Sequence, residues 1–155
     1  MSTLESAISI AVLAHKGQLD KAGAPYILHP LRVMLRLNSF EERVVGVLHD
    51  VLEDTGISME SLRASGFSEM ILSALHSVTK LPDETYDEFI LRAASNPICR
   101  SVKLADLADN CDLSRIPKPT TRDFKRLEKY RHAIETINAI EHPDAYRVSS
   151  CQSFP

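Results

Sequence analysis

Apolar residues recur at three- and four-residue spacing along almost the whole chain, and the elements this pattern predicts are all helices. Leu4, Ile8, Ala11 and Val12 line one face of a helix expected from Leu4 to Lys16, with Ser2 or Thr3 as cap and Gly17 as stop. Two more helices are expected over 28–37 and 41–53, the latter through Val44, Val47, Leu48, Val51 and Leu52. A short capped helix over 58–66 ends on Gly66, another follows over 68–78, and Leu81-Pro82-Asp83 makes a break. Tyr86, Phe89, Ile90 and Ala93 form the apolar face of a helix over 84–94, and Asn96-Pro97 separates it from the helix that carries Asp106. Two prolines stiffen the stretch 116–120 before a long helix over 121–140 with Phe124, Leu127, Tyr130, Ile134 and Ile137 turned inward. The expected fold is therefore all-α, a compact single-domain helical bundle over 1–142. The aperiodic tail over 143–155 is expected to be loosely ordered.

Polar residues break this pattern where chemistry is expected. His49 and Asp50 interrupt the apolar face of the 41–53 helix, and Glu53 and Asp54 follow one turn later, roughly on the side of Asp50. A plain alternative makes His49 a hydrogen-bonded core residue and the acids a solvated helix end. Two other segments weigh against it. His29 opens the second helix after a polar loop, and Asp106 and Asn110 share one face of a later helix. His29, His49, Asp50 and Asp106 supply two imidazoles and two carboxylates from three helices. That donor set suits Mn, Fe, Zn or Ni and leaves positions open for water or phosphate oxygen. Glu53 and Asp54 would then stand where a general base could meet activated water. Tyr26, at the mouth of the expected pocket, either stacks on a substrate or wedges the loop.

The ordered segments AHKGQ, KAGAPYILHP, LHDVLEDT and VKLADLADN resemble the hydrolase domain of the RelA/SpoT family, over about residues 5 to 140. The similarity is greatest to the stand-alone small alarmone hydrolases, within the superfamily named for its His-Asp doublet. This resemblance implies an all-helical HD-type fold that binds one Mn ion and removes the 3′-pyrophosphate from guanosine alarmones such as ppGpp. It places His29, His49, Asp50 and Asp106 on metal-ligand positions, Glu53 and Asp54 on the water-activating pair, and Lys21 and Asn110 on substrate-contacting positions. His15 falls on a loop-bracing histidine. Two departures bear on substrate. The residue before the loop lysine, commonly an arginine packed on the nucleobase, is Asp20 here, which exchanges a cationic plate for an acid at a base-facing position. After Asp106 the family commonly has Arg or Lys, Leu, then His or Tyr; this chain has Leu107, Ala108 and Asp109.

Composition narrows the function further. At 155 residues one domain is expected, too short to add the family's synthetase and regulatory domains, so alarmone synthesis is not expected. A net charge of −3 without a basic run argues against a general nucleic-acid binder, so a small nucleotide would be held locally by Lys21 or Lys103, with Lys16 read as a surface residue. Cys99, Cys111 and Cys151 show no pairing pattern, Cys111 reads as packing, and neither a signal peptide nor a membrane-length apolar run is present. A cytoplasmic enzyme is the expectation, with a homo-oligomer compatible and its order unspecified. Two other substrates remain open for the same machinery, an adenine alarmone and the 2′-phosphate of NADPH. A catalytically silent nucleotide sensor is the non-enzymatic alternative.

Overall fold

The computed structural model describes residues 2–143. The expected tail lies outside the described residues, apart from Pro143. Among the described residues nine α-helices follow one another: α1 (Leu4–Ala14), α2 (Leu28–Leu35), α3 (Phe40–Leu48), α4 (Val51–Asp54), α5 (Met59–Ala64), α6 (Glu69–Val78), α7 (Tyr86–Ser95), α8 (Pro97–Asn110) and α9 (Thr121–Glu141). A single 3-10 turn, Leu113–Arg115, precedes α9. Among the described residues there is no β-strand beyond one isolated bridge between Leu19 and Pro25 in the first loop. The fold is all-α, as the periodicity predicts.

Local signals set most helix starts. The Thr3, Ser39, Ser58 and Thr85 side chains each accept from the amide three residues on, and in each case the side chain at that third position returns a bond to the cap. Asn96 accepts from the amides of Ile98 and Cys99, with Pro97 at the first helical position, where its missing N–H costs nothing. Gly17 ends α1 at φ 80°, a backbone region a side chain would disfavour.

Sequence periodicity and structure disagree at one informative place. The helix expected over 41–53 stops at Leu48 and restarts at Val51, with His49 and Asp50 between. His49 Nδ1 donates to the Gly46 carbonyl at 2.7 Å, the acceptor that a continuous helix would offer to the Asp50 amide. The imidazole takes a backbone acceptor and the ladder breaks at the doublet.

Burial concentrates on α3 and α8. Val44, Val45, Val47 and Leu48 are all fully buried, and α3 packs on α1, α2, α6 and α8. At Gly46 an added Cβ would lie 2.5 Å from Leu37 Cδ1, so a side chain there would displace the end of Leu37, while the Met34 Cα of α2, at 3.5 Å, would stand at ordinary contact distance. On its other side α8 meets α7 and α9, where Ile90, Ala94, Leu107, Ala133 and Ile137 form a smaller core. α8 thus sits between two apolar clusters, yet it also buries Lys103, Asp106 and Asp109.

The packing yields a stability test. Gly46→Val should cost about 1–3 kcal/mol of unfolding free energy through overpacking against Leu37 and α2. Leu13→Ala, at a side chain 72% exposed, should stay within about 0.5 kcal/mol of the parent. Urea denaturation followed by circular dichroism measures both.

Candidate metal centre

His29 stands in the first turn of α2, His49 and Asp50 in the α3–α4 break, and Asp106 in the middle of α8. Packing brings them to one point. His29 Nε2 lies 3.2 Å from Asp106 Oδ1 and 3.7 Å from Asp50 Oδ2. His49 Nε2 lies 3.0 Å from Asp50 Oδ2 and 3.6 Å from Asp106 Oδ1. Ligand atoms of His29, His49 and Asp50 all fall within 4.8 Å of one another.

Hydrogen bonding fixes both ring tautomers. His29 Nδ1 is 2.7 Å from Asp109 Oδ2, and His49 Nδ1 is 2.7 Å from the Gly46 carbonyl; each of these nitrogens faces an acceptor and so carries the proton. The Nε2 lone pairs are then left pointing at two carboxylates. His49 Nε2 is buried and makes no hydrogen bond, despite the nearness of Asp50. Such an arrangement is repulsive unless positive charge sits at its centre, and a divalent cation satisfies all four groups at once. The residues present fit that ion. Protons supply the charge otherwise. Burial would lower the pKa of His49, but Asp50 and Asp106 outweigh it and hold it well above the usual histidine value. His29 is raised in the same way, against burial, by Asp106 and Asp109. Burial opposes ionisation of Asp50, yet His49 holds its pKa at about 2.

Further contacts steady the ligands. Asp106 Oδ2 accepts from Lys103 Nζ at 2.7 Å, and its Oδ1 accepts from Asn110 Nδ2 at 2.7 Å. The Tyr26 hydroxyl donates to Asp50 Oδ2, and its ring lies between those of His15 and His29, with centroids 5.0 and 5.8 Å away. His15 shares a 2.8 Å contact with Gln18 Oε1, whose amide nitrogen in turn donates to the Asp54 carbonyl, so the first loop is tied to the end of α4.

The centre opens into a cavity of about 540 Å³. Glu53 lines it, while Asp54 is not among the lining residues, so the restart at Val51 aims only the first of the two acids inward. Glu53 Oε1 accepts from the Lys80 amide, and burial raises its pKa above the usual glutamate value. Asp54 is also raised, first by burial and then by Asp50. Lys21, Tyr26 and Asn110 line the cavity, as does Asp20. Asp20 Oδ1, however, accepts from the Ala22 and Ala24 amides at 2.9 Å each, and so is occupied in shaping its own loop.

Several groups at the site escaped the sequence reading. Asp109 is fully buried against His29, Arg32 and Arg115. Its position three residues after Asp106 on one helix was the available signal. Arg32, Lys80, Arg115, Arg126 and Lys129 also line the cavity, and their sequence neighbourhoods gave no hint of it. Lys129 Nζ lies 3.7 Å from the centroid of the Tyr86 ring.

No family profile matches the chain. Individual proteins do. An Aquifex aeolicus protein named guanosine-3′,5′-bis(diphosphate) 3′-pyrophosphohydrolase is 34% identical over 151 residues, covering 90% of this chain and 21% of that protein. A Synechocystis protein named as a probable enzyme of the same activity is 36% identical over 149 residues, 86% of this chain and 18% of its own length. A Streptomyces coelicolor GTP pyrophosphokinase is 32% identical over 158 residues, 94% of this chain and 18% of that protein. The chain therefore spans about a fifth of the length of these relatives. Among solved structures, a metazoan ortholog of SpoT described as hydrolysing ppGpp matches with a TM-score of 0.73 at 21% identity, over 88% of this chain and 85% of that one, which shows the shared fold. Sequence similarity along nearly the whole chain, joined to this common helical architecture, places the protein in the RelA/SpoT family as an HD-type domain.

Proposed function

We propose that the chain is a metal-dependent hydrolase that removes the 3′-pyrophosphate from guanosine alarmones, giving pyrophosphate and GDP or GTP. The observation that carries this reading is the convergence of two tautomer-fixed imidazoles and two carboxylates on the wall of a nucleotide-sized cavity that also presents Glu53. The names of relatives that align with most of the chain supply the substrate. His29, His49, Asp50 and Asp106 would hold the ion, which we take to be Mn2+. When bound, it supplies Lewis-acid polarisation of a phosphoryl oxygen and acidifies nearby water.

The chain's own groups do the rest. Glu53 faces the cavity and serves as general base, held there by the Lys80 amide. Asp54, one residue further and outside the lining, adds negative charge that favours proton acceptance at its neighbour. Lys103 and Lys80 supply positive charge towards the developing anions, and Asn110 and Lys21 contact the nucleotide. Tyr26 keeps its proton, because burial and the charge of Asp50 push its pKa far up, and orients Asp50 as a donor. No helix among the described residues is long and apolar enough to cross a membrane, which accords with action in the cytoplasm.

Three outcomes are expected. His49→Ala and Asp50→Ala should each abolish Mn2+ binding in calorimetry and ppGpp hydrolysis by chromatography, with helical circular dichroism largely retained; full activity in metal-stripped protein would refute the site. Glu53→Gln should keep Mn2+ affinity yet lower turnover by about 10²-fold or more, with a smaller loss in Asp54→Asn. Protonation of Glu53, whose pKa burial raises in the metal-free site, should give turnover at saturating Mn2+ an acid limb, falling as pH drops through it. A pH–rate profile in which Glu53→Gln retains the same limb would assign it to another group.

A further inference from the structure

Asp109 is 0% exposed and holds three cationic or protonated partners at once. Its Oδ2 faces His29 Nδ1 at 2.7 Å, its Oδ1 accepts from Arg32 Nε at 2.8 Å, and Arg32 Nη2 adds a bond to Oδ2 at 3.1 Å. Arg115 Nη2 reaches the Asp109 carbonyl at 2.8 Å and its Oδ2 at 3.3 Å. One carboxylate thus joins a residue of the metal centre to two arginines that line the cavity.

Each arginine is anchored through part of its donor set. Arg32 spends Nε and Nη2 on Asp109, and Arg115 gives Nη1 to Asp112 at 2.8 Å and Nη2 to Asp109. Both remain about a third exposed, with side-chain exposures of 30% and 31%. A guanidinium whose edge is bonded into the protein still offers its flat cationic face, which stacks on planar aromatic rings. Their setting agrees. Leu19, Ala22 and Ile116 line the same cavity, and Asp20 adds to the field that keeps Arg32 charged. The ammonium groups of Lys80 and Lys129, by contrast, belong to flexible chains suited to meeting phosphate oxygens.

We propose that Asp109 is a positioning residue that couples the two halves of the site: it fixes His29 for metal coordination and holds Arg32 and Arg115 as a rigid plate for the purine base. The first half needs only the chain and a metal. The second rests on the nucleotide reading above. A carboxylate behind a ligating histidine fixes the ring and raises its donor strength, and its loss typically weakens metal binding about 10–100-fold.

The test separates these parts by using ligands that undergo no reaction. In calorimetry on metal-stripped protein, Asp109→Asn should weaken Mn2+ binding about 10–100-fold. Arg32→Ala and Arg115→Ala should leave Mn2+ affinity within about 3-fold, weaken GDP binding about 10-fold, and change inorganic pyrophosphate binding far less. Unchanged Mn2+ affinity in Asp109→Asn overturns the coupling to His29. Unchanged GDP affinity in both arginine variants, or an equal loss for pyrophosphate, overturns the base plate. Should Asp109→Asn fail to fold, nitrogen-detected NMR of the Zn2+-loaded wild-type protein decides the first half: His29 must be the Nδ1–H tautomer, and an Nε2–H form refutes it. A wild-type protein that binds GDP and Mn2+ as described but leaves ppGpp intact would contradict the hydrolase reading while leaving this coupling in place.

Discussion

Two imidazole lone pairs and two carboxylates cannot share a buried space without positive charge among them, and the site is organised around that electrostatic demand. Lys103 neutralises Asp106 from one side, and the negative charge that still faces the two Nε2 atoms calls for a proton or a divalent ion at the centre. Each ligand is constrained so that the demand cannot be relaxed by a ring flip. His29 is held from behind by Asp109, His49 by the Gly46 carbonyl, Asp50 by the Tyr26 hydroxyl, and Asp106 by Lys103 and Asn110. These outer contacts turn four side chains into a preorganised set of donors.

The apolar core makes that set possible by bringing α2, α3 and α8 close together. Gly46 leaves room for the Leu37 side chain against α3, and α8 is clamped between two apolar clusters so that its charged face has nowhere to rotate. Along that face Lys103, Asp106, Asp109 and Asn110 fall at helical spacing, and they deal respectively with a ligand oxygen, the metal position, His29 and a second ligand oxygen. The break after Leu48 belongs to the same scheme. It lets His49 reach backwards to a carbonyl while Asp50 and Glu53 present themselves to the cavity.

Charge is divided across the cavity in a way that suits a nucleotide. Near Asp20 and Arg32 the cations are tied down by Asp109 and Asp112, which fixes the planes of their guanidinium groups. Elsewhere on the wall, the Lys80 ammonium donates to the Leu81 carbonyl and that of Lys129 lies over the Tyr86 ring. An acidic chain of net charge −3 can hold a polyanion only through such local concentration of cations, and the tertiary fold assembles it from the first loop, α2, α8 and α9.

The sequence by itself determined the all-helical architecture and most helix starts. Helical periodicity and capping act over three or four residues, so Thr3, Ser39, Ser58, Thr85 and Asn96 announce their helices wherever those helices later pack. The His49-Asp50 doublet and the lone polar residues on apolar faces likewise mark chemistry locally. What only the tertiary structure decided was convergence and direction. His29 meets Asp109 across 80 residues of chain, and Arg32 meets it across 77, contacts that depend on the crossing of α2 and α8 and have no local signature. Whether Glu53 or Asp54 faces the cavity was equally beyond periodicity, because a continuous helix was expected where the His49 side chain takes a backbone acceptor and breaks the register. Asp20 shows the same limit from the other side: its residue type suggested a contact with substrate, while the fold of its own loop brings two amides to its Oδ1.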